Sequence, residues 1–126
     1  MSSIKARKGN PFEYDTAYSL QQAYYTVNRI DDNSKGLDLI AKRNGITFHI
    51  ECKFHKGFSW NQLTKIFDKT YETSLNISPD AIPIVVFKAN QQPVLVMYLG
   101  AFNNLIVTQF NSYFGVEWSK RPKGFK

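Results

Sequence analysis

The sequence predicts an α/β fold in which a mixed β-sheet is flanked by helices, in the order α-β-β-β-α-β-β. Three observations support this prediction. Two helix-capping signatures each precede an amphipathic stretch, an Asn-Gly dipeptide separates two stretches of alternating polarity, and a continuous apolar run follows the second helix. A chain of 126 residues is long enough for one hydrophobic core, so we predict a single domain over residues 1–126.

The first helix is predicted to begin after Asn10, because a proline at the first helical position and Glu13, three residues after the cap, both favour a helix start. This helix is expected to end near Tyr24. Residues 25–30 are then predicted to form a strand, and the polar stretch 31–36 is typical of a turn-forming loop.

Residues 37–42 and 46–54 are predicted to pair as a β-hairpin, because Asn-Gly between them is the preferred dipeptide of a two-residue type I′ turn. Apolar residues alternate along both strands and all fall on one face. If Arg43 pairs with Ile46 across the turn, Asp38 lies opposite Glu51.

The second helix is predicted to begin after Ser59 and to run to about Leu75, with its apolar residues on one face. Residues 84–87 and 94–99 are predicted as further strands, and the first of them is apolar enough to be covered on both faces. Later in the chain the pattern is weak, and residues 105–110 fit either a short strand or a helix.

Basic residues outnumber acidic ones and cluster near both ends, which gives a net charge of +6 and a pI near 9.5. Such a charge favours a polyanionic partner, although an incidental basic surface is the alternative. The basic residues expected to contact DNA are Lys5, Arg7, Lys8, Arg29 and Lys35. A second basic cluster, near the C-terminus, consists of Lys120, Arg121, Lys123 and Lys126.

The cellular location is predicted from features that the sequence lacks. No apolar run approaches the roughly 20 residues that cross a bilayer, and residues 1–10 lack the apolar region of a secretory signal. The one cysteine, Cys52, has no cysteine partner and no zinc-finger spacing around it. We therefore expect a cytoplasmic protein, of a cell or of a virus in its host, with no membrane partner.

Asp38, Glu51 and Lys53 form the predicted reaction centre. Opposed residues on neighbouring strands have Cβ atoms about 4.5–5.5 Å apart, which lets two carboxylates share one divalent cation. Lys53 lies on the same face and can orient a water or stabilise charge on a phosphate. This pattern predicts phosphodiester hydrolysis with Mg²⁺, for which Mn²⁺ could substitute. The alternative is a solvated hairpin face whose acids only balance its lysines.

The two strands carry a pattern that resembles the D…(E)xK signature of the PD-(D/E)xK nuclease superfamily. Over about residues 5–90 the chain is similar to archaeal-type Holliday junction resolvases, and the matching features are Arg7-Lys8-Gly9, Glu13, Arg29, Ser34, Asp38 and Glu51-Cys52-Lys53. Leu37 replaces the proline that precedes the first acid in this superfamily. Beyond about residue 100 there is no match.

The resemblance implies a restriction-endonuclease-like fold and a Mg²⁺-dependent endonuclease that cuts branched DNA, with four-way junctions as the favoured substrate. It implies that Glu13 joins Asp38 and Glu51 at the metal, and that Cys52 adds its main-chain carbonyl as a neutral ligand. The resemblance also assigns a role in cleavage to Ser34.

Several assignments keep an alternative. Glu13 and Gln62 each also complete a capping box, and for Gln62 capping is the favoured interpretation. His49 is interpreted as a surface residue beside the site. The protein could instead be another nuclease of this superfamily that acts on duplex, nicks, flaps or ends, or a basic nucleic-acid-binding module that does not cut.

A symmetric homodimer is predicted, because a four-way junction needs two matched cuts and the chain carries one D…ExK site. The apolar residues expected to form the dimer contact, or alternatively to complete the monomer's core, are Val94, Val96, Tyr98, Phe102, Phe110, Tyr113, Phe114 and Trp118.

Overall fold

The structure is a computed structural model, and it describes residues 11–30 and 36–125. In chain order its elements are α1 (Pro11–Gln22), β1 (Thr26–Arg29), β2 (Leu39–Arg43), β3 (Ile46–His55), α2 (Trp60–Ile77), β4 (Ile82–Ala89), β5 (Leu95–Leu99), β6 (Leu105–Gln109) and α3 (Phe110–Phe114). The strands form one sheet in sequence order, in which β3 and β4 are parallel and all other neighbours are antiparallel. The predicted mixed sheet with flanking helices is confirmed.

The two faces of the sheet bury two separate hydrophobic clusters. On one face, α1 and α3 pack through residues such as Leu20 and Phe110 against Ile50 of β3. On the other face, α2 packs through Leu63 and Phe67 against β4 and β5. Each of these large side chains contributes roughly 1.5–3 kcal/mol when fully buried. Because both faces are covered, β4 is buried on both sides, as its apolar run predicts.

The β2–β3 hairpin has the predicted register, since Arg43 pairs with Ile46 and Leu39 pairs with Ile50. Asn44 and Gly45 both have positive φ, at 54° and 78°, as a type I′ turn requires. The regular ladder ends at Leu39, one residue before Asp38.

Beyond the ladder, the main chain of Asp38 bonds to both neighbouring strands. Its N–H donates to the Ile50 carbonyl at 2.8 Å, and its carbonyl accepts from the N–H of Ile30 at 2.9 Å. Asp38 is therefore held between β1 and β3, and its expected pairing with Glu51 lies outside the regular ladder.

The helix ends follow the capping chemistry of the sequence. Ser59 and Gln62 form a capping box in which each side chain bonds the other's main-chain N–H, so capping by Gln62 is confirmed. Helix α1 ends at Gln22, and Tyr24 follows with a positive φ of 68°. Its expected cap, Asn10, lies outside the described residues.

The segment 105–110, predicted as a strand or a helix, contains both: strand β6 is followed at once by helix α3. The chain then returns to α1, a contact between residues about 100 positions apart. Trp118 Nε1 donates to Thr16 Oγ1 at 2.9 Å, and Ser119 N–H donates to Ser19 Oγ at 2.9 Å. Residues 118–121 therefore run along the outside of α1.

Four of the predicted dimer residues, Val94, Val96, Phe110 and Phe114, are buried in the monomer's core, so their assignment to a dimer contact is wrong. Seven belong to the cluster under α1 and α3 or pack against it: Val94, Val96, Tyr98, Phe110, Tyr113, Phe114 and Trp118. They are covered because α3 and the returning C-terminal segment close this face. Only Phe102, 92% exposed, lies outside the core. No helix in the described parts of the chain is long and apolar enough to cross a membrane.

Candidate active site

The candidate site lies where β3 extends beyond β2. The last pair between these strands is Leu39 with Ile50, so the part of β3 from Glu51 onward has no strand partner on that side. Asp38 occupies this gap, and its Oδ2 accepts the main-chain N–H of Cys52 at 2.8 Å. The Asp38 carboxylate thus accepts a main-chain N–H that would otherwise pair with a neighbouring strand, and this hydrogen bond fixes the orientation of the carboxylate.

Glu51 is a buried acid whose pKa is raised. It is only 6% exposed, its Oε2 lies 3.3 Å from Lys53 Nζ, and its Oε1 is buried without a hydrogen-bond partner. Burial and, after it, the negative charge of Asp38 raise the pKa of the Glu51 carboxyl to about 7, although the positive charge of Lys53 opposes the rise. The ionised form of Glu51 therefore lacks sufficient positive charge around it.

Glu13 enters from the first turn of α1 and is 6% exposed. Arg29 Nε on β1 donates to Glu13 Oε2 at 3.0 Å, and the Arg29 guanidinium lies 4.0 Å from the centre of the Tyr14 ring. Arg29, expected to contact DNA, here neutralises a buried acid. The α1 helix and the β1 strand therefore hold Glu13 as one half of an ion pair.

The Cys52 thiol lies within the field of all three acids. Burial raises its pKa well above the usual range, and Asp38, Glu13 and Glu51 each raise it further by their negative charge. The three predicted acids are therefore gathered near one buried side chain. Because the Cys52 thiol is buried and protonated, the group of Cys52 that suits a hard cation is its main-chain carbonyl oxygen.

The described ranges contain no group of three His, Cys, Asp or Glu side chains arranged to bind a metal. Two of the three acids are engaged by cations, Glu13 by Arg29 and Glu51 by Lys53. Asp38 and the unpartnered Oε1 of Glu51 remain as adjoining oxygen donors, and their chemistry fits a hard divalent cation. The other residues predicted for the site or for DNA lie outside the described residues: Lys5, Arg7, Lys8, Ser34 and Lys35.

The prediction that His49 lies at the surface is wrong. His49 is 2% exposed beneath α2, and its Nδ1 lies 2.8 Å from Ser74 Oγ. Burial lowers its pKa, and the positive charge of Lys42 lowers it further. The hairpin's polar face is not open to solvent at this point because α2 packs over it.

Sequence reasoning missed a groove of about 920 Å³ whose lining includes Cys52 and Lys53. Its walls bring Lys88 of β4 beside residues of the C-terminal segment, Lys120 and Arg121. The only sequence signal was the cluster of basic residues near the C-terminus, whose position could not be known without the contact to α1.

No protein-family model matches the sequence, and no curated protein matches it. The structure is similar to that of Hjc from the archaeal hyperthermophile Archaeoglobus fulgidus, a Holliday junction resolvase, with a TM-score of 0.59. The likeness covers 86% of this chain and 96% of that one at 17% sequence identity. The chain therefore has an Hjc-like fold, as its D…ExK strands and helix order predict.

Proposed function

We propose that this protein is a metal-dependent DNA endonuclease that cleaves branched DNA, with the four-way junction as its favoured substrate. One observation carries the proposal: the buried Glu51 carboxylate has an oxygen without a partner, next to Asp38 and 3.3 Å from Lys53. Leaving a buried charged acceptor unsatisfied is costly, and such groups concentrate at functional sites.

A divalent cation bound to Glu51 would remove the free-energy cost of leaving its buried oxygen unsatisfied. Mg²⁺ and Mn²⁺ prefer oxygen ligands, and Asp38, Glu51 and the main-chain carbonyl of Cys52 would supply them. Glu13 would join them if Arg29 turned toward the DNA. When bound, the ion would polarise the scissile phosphate and lower the pKa of an attacking water.

The protein's own groups have separable roles in this proposal. Asp38 is held by the Cys52 N–H, so it offers a fixed oxygen without needing to reorganise. Lys53 is partly exposed and lines the groove, and its ammonium group would donate to the phosphate or orient the water. Moving Lys53 from Glu51 to the phosphate would free the second oxygen of Glu51.

The substrate assignment has two supports. The net charge of +6 favours a polyanion, and the similarly folded Archaeoglobus fulgidus protein is a Holliday junction resolvase. The proposed working unit is a homodimer, because two opposed cuts need two copies of the site.

The test is incubation with end-labelled four-way junctions, flaps and linear duplex of equal length, each with Mg²⁺ and with chelator. The proposal predicts Mg²⁺-dependent cuts and fastest cleavage of the junction. Asp38→Asn protein, purified in parallel, controls for contaminating nucleases. Binding in chelator with intact DNA after Mg²⁺ is restored would instead indicate a non-catalytic binding module. Fastest cleavage of another substrate would keep the nuclease and reject the junction.

A further inference from the structure

The groove beside the candidate site carries a strong imbalance of charge. The basic residues that line it come from three separate parts of the chain: Lys53 from β3, Lys88 from β4, and Lys120 and Arg121 from the C-terminal segment. One acid, Asp15, also lines it, and Asp15 already accepts hydrogen bonds from the main chain and the side chain of Arg121. Because Asp15 and Arg121 balance each other, the excess positive charge comes from the three lysines, and it favours an anion in the groove.

The floor of the groove is aromatic. Phe54 is 50% exposed and meets the buried Phe12 edge to face, with 5.8 Å between ring centroids. Trp118 also packs against Phe12, with 5.4 Å between centroids. Lys88 Nζ lies 5.1 Å from the centre of the Phe54 ring. A half-exposed aromatic ring beside a lysine is suited to a ligand that has both a flat apolar surface and negative charge.

The wall formed by residues 118–121 is held in place before any ligand binds. Trp118 bonds to Thr16, Ser119 exchanges hydrogen bonds with Ser19, and Arg121 pairs with the buried Asp15. These three contacts fix the segment to one helix, α1. The segment is therefore ordered before a ligand binds, so binding does not carry the entropic cost of ordering it.

We infer that this groove binds an unpaired strand of nucleic acid next to the scissile phosphate, with a base stacked on Phe54 and the backbone along Lys88, Lys120 and Arg121. The adjoining position rests on the proposed function, because the groove shares Lys53 with the candidate site. In a duplex both faces of each base are covered by neighbouring pairs. Only an unpaired base can therefore use an aromatic platform, and stacking of this kind tolerates any sequence.

Binding in chelator tests this inference without cleavage. Fluorescence anisotropy would compare a blunt duplex with a splayed duplex that carries unpaired arms of the same total length. Wild type should bind the splayed DNA roughly five- to tenfold more tightly, and Phe54→Leu should lose most of that preference while keeping apolar packing on Phe12. The double variant Lys88→Gln/Lys120→Gln should lose it as well.

Matched controls lie away from the groove. Tyr24→Leu changes an exposed aromatic side chain remote from the groove, and Lys42→Gln removes a charge beside the β2–β3 turn, at the opposite end of β3. Both should retain the wild-type preference. No preference in wild type, or equal loss in groove and control variants, would overturn the inference.

A second measurement covers the case in which a groove variant folds poorly. The chain has two tryptophans, so Trp60→Phe leaves Trp118 as the only tryptophan reporter. Oligothymidylate should change the Trp118 emission in this otherwise intact protein, and blunt duplex should change it several-fold less. An unchanged emission at saturating oligothymidylate would also overturn the inference.

The two proposals fail in different ways. If only the nuclease proposal is wrong, no substrate is cut with Mg²⁺, yet the preference for splayed DNA in chelator persists. If only the groove proposal is wrong, wild type cuts DNA, and Phe54→Leu and Lys88→Gln/Lys120→Gln cut and bind with unchanged preference.

Discussion

The main-chain N–H of Cys52 donates to Asp38 Oδ2 at 2.8 Å, so the Asp38 carboxylate occupies the position that a strand partner would take beyond Ile50. This bond links the two motif strands at the point where their ladder ends. It also prevents Asp38 from turning away from the neighbouring Glu51. Preorganised carboxylates avoid reorganisation on binding a cation or a substrate, which is a recognised source of catalytic rate.

Asp38→Asn should abolish cleavage while folding and DNA binding persist. The asparagine carbonyl can still accept the Cys52 N–H at nearly constant shape, but the negative charge that would hold a cation is lost. Junction cleavage and anisotropy on the same preparation provide the measurement. Asp80→Asn, a change in an exposed acid remote from the site, is the control. Wild-type turnover by Asp38→Asn would remove Asp38 from the reaction.

Glu51→Gln should abolish cleavage and yet stabilise the metal-free protein at alkaline pH. The pKa of Glu51 is about 7 in the folded state against 4.5 ordinarily, so between these values the folded state binds more protons than the unfolded state. Wild-type stability therefore falls as pH rises from 4.5 to 7, by about 3 kcal/mol at most. Glutamine cannot ionise and escapes this loss.

Urea unfolding at pH 5 and pH 8 in chelator measures the effect. The difference in unfolding free energy between Glu51→Gln and wild type should grow with pH, whereas Glu72→Gln on the exposed surface of α2 should leave the wild-type profile unchanged. Added Mg²⁺ should recover part of the wild-type loss, because a ligand that binds only the folded state stabilises it. A pH-independent difference would argue against an ionised, unsatisfied Glu51.

Lys53→Ala should lower the cleavage rate about 10²- to 10³-fold, the usual cost of removing one group that stabilises transition-state charge. Binding of the divalent cation should survive, because the acids remain and one competing positive charge is gone. Single-turnover rates on the junction measure the loss, with Lys42→Ala as the control for charge alone. A Lys53→Ala protein that cuts as fast as wild type would show that Lys53 only balances Glu51.

DNA affinity should fall steeply with salt, since each lysine or arginine that neutralises a phosphate releases condensed counterions. About four such contacts imply roughly a hundredfold loss between 50 and 200 mM salt. Lys5→Gln/Arg7→Gln/Lys8→Gln should flatten the slope of log affinity against log salt, and Lys42→Gln should not. Affinity that is insensitive to salt would contradict the polyanion interpretation.

The register of the hairpin could be predicted because it depends on local rules, the type I′ turn at Asn44-Gly45 and the two-residue period of a strand. The end of the ladder could not, since it depends on β1 and on the hydrogen bond from Ile30 to Asp38. The burial of His49 was missed for a similar reason. The two-residue period of a strand assigns each side chain to one face of the sheet, but it does not show whether a helix covers the polar face.

The C-terminal segment was beyond sequence reasoning because its contacts are the most distant along the chain. Ser119 bonds to Ser19, and Arg121 to Asp15. No periodicity or turn signal reports a pairing across about 100 residues, and these residue types are equally common on solvated surfaces. The same contacts bring Lys120 and Arg121 to the edge of the site, so the groove was missed together with the segment.

The last prediction is that the protein is a dimer in solution and that the β5–β6 edge of the sheet contributes to the contact. Strand β6 is at the edge of the sheet and has no charged residue, which leaves it without the usual protection against pairing with another chain. Phe102 is 92% exposed in the loop before it, and Leu99 and Val107 are each over a third exposed.

Phe102→Glu would place a charge in this apolar patch and should shift sedimentation at micromolar concentration toward the 14.5 kDa monomer, while Tyr24→Glu, remote from β6 and also exposed, should not. On four-way junctions the monomeric variant should nick one strand and lose the paired second cut, because each copy carries one site. A wild-type protein that sediments as a monomer both free and on the junction would exclude the dimer, and would favour substrates that need one cut, such as nicks or flaps.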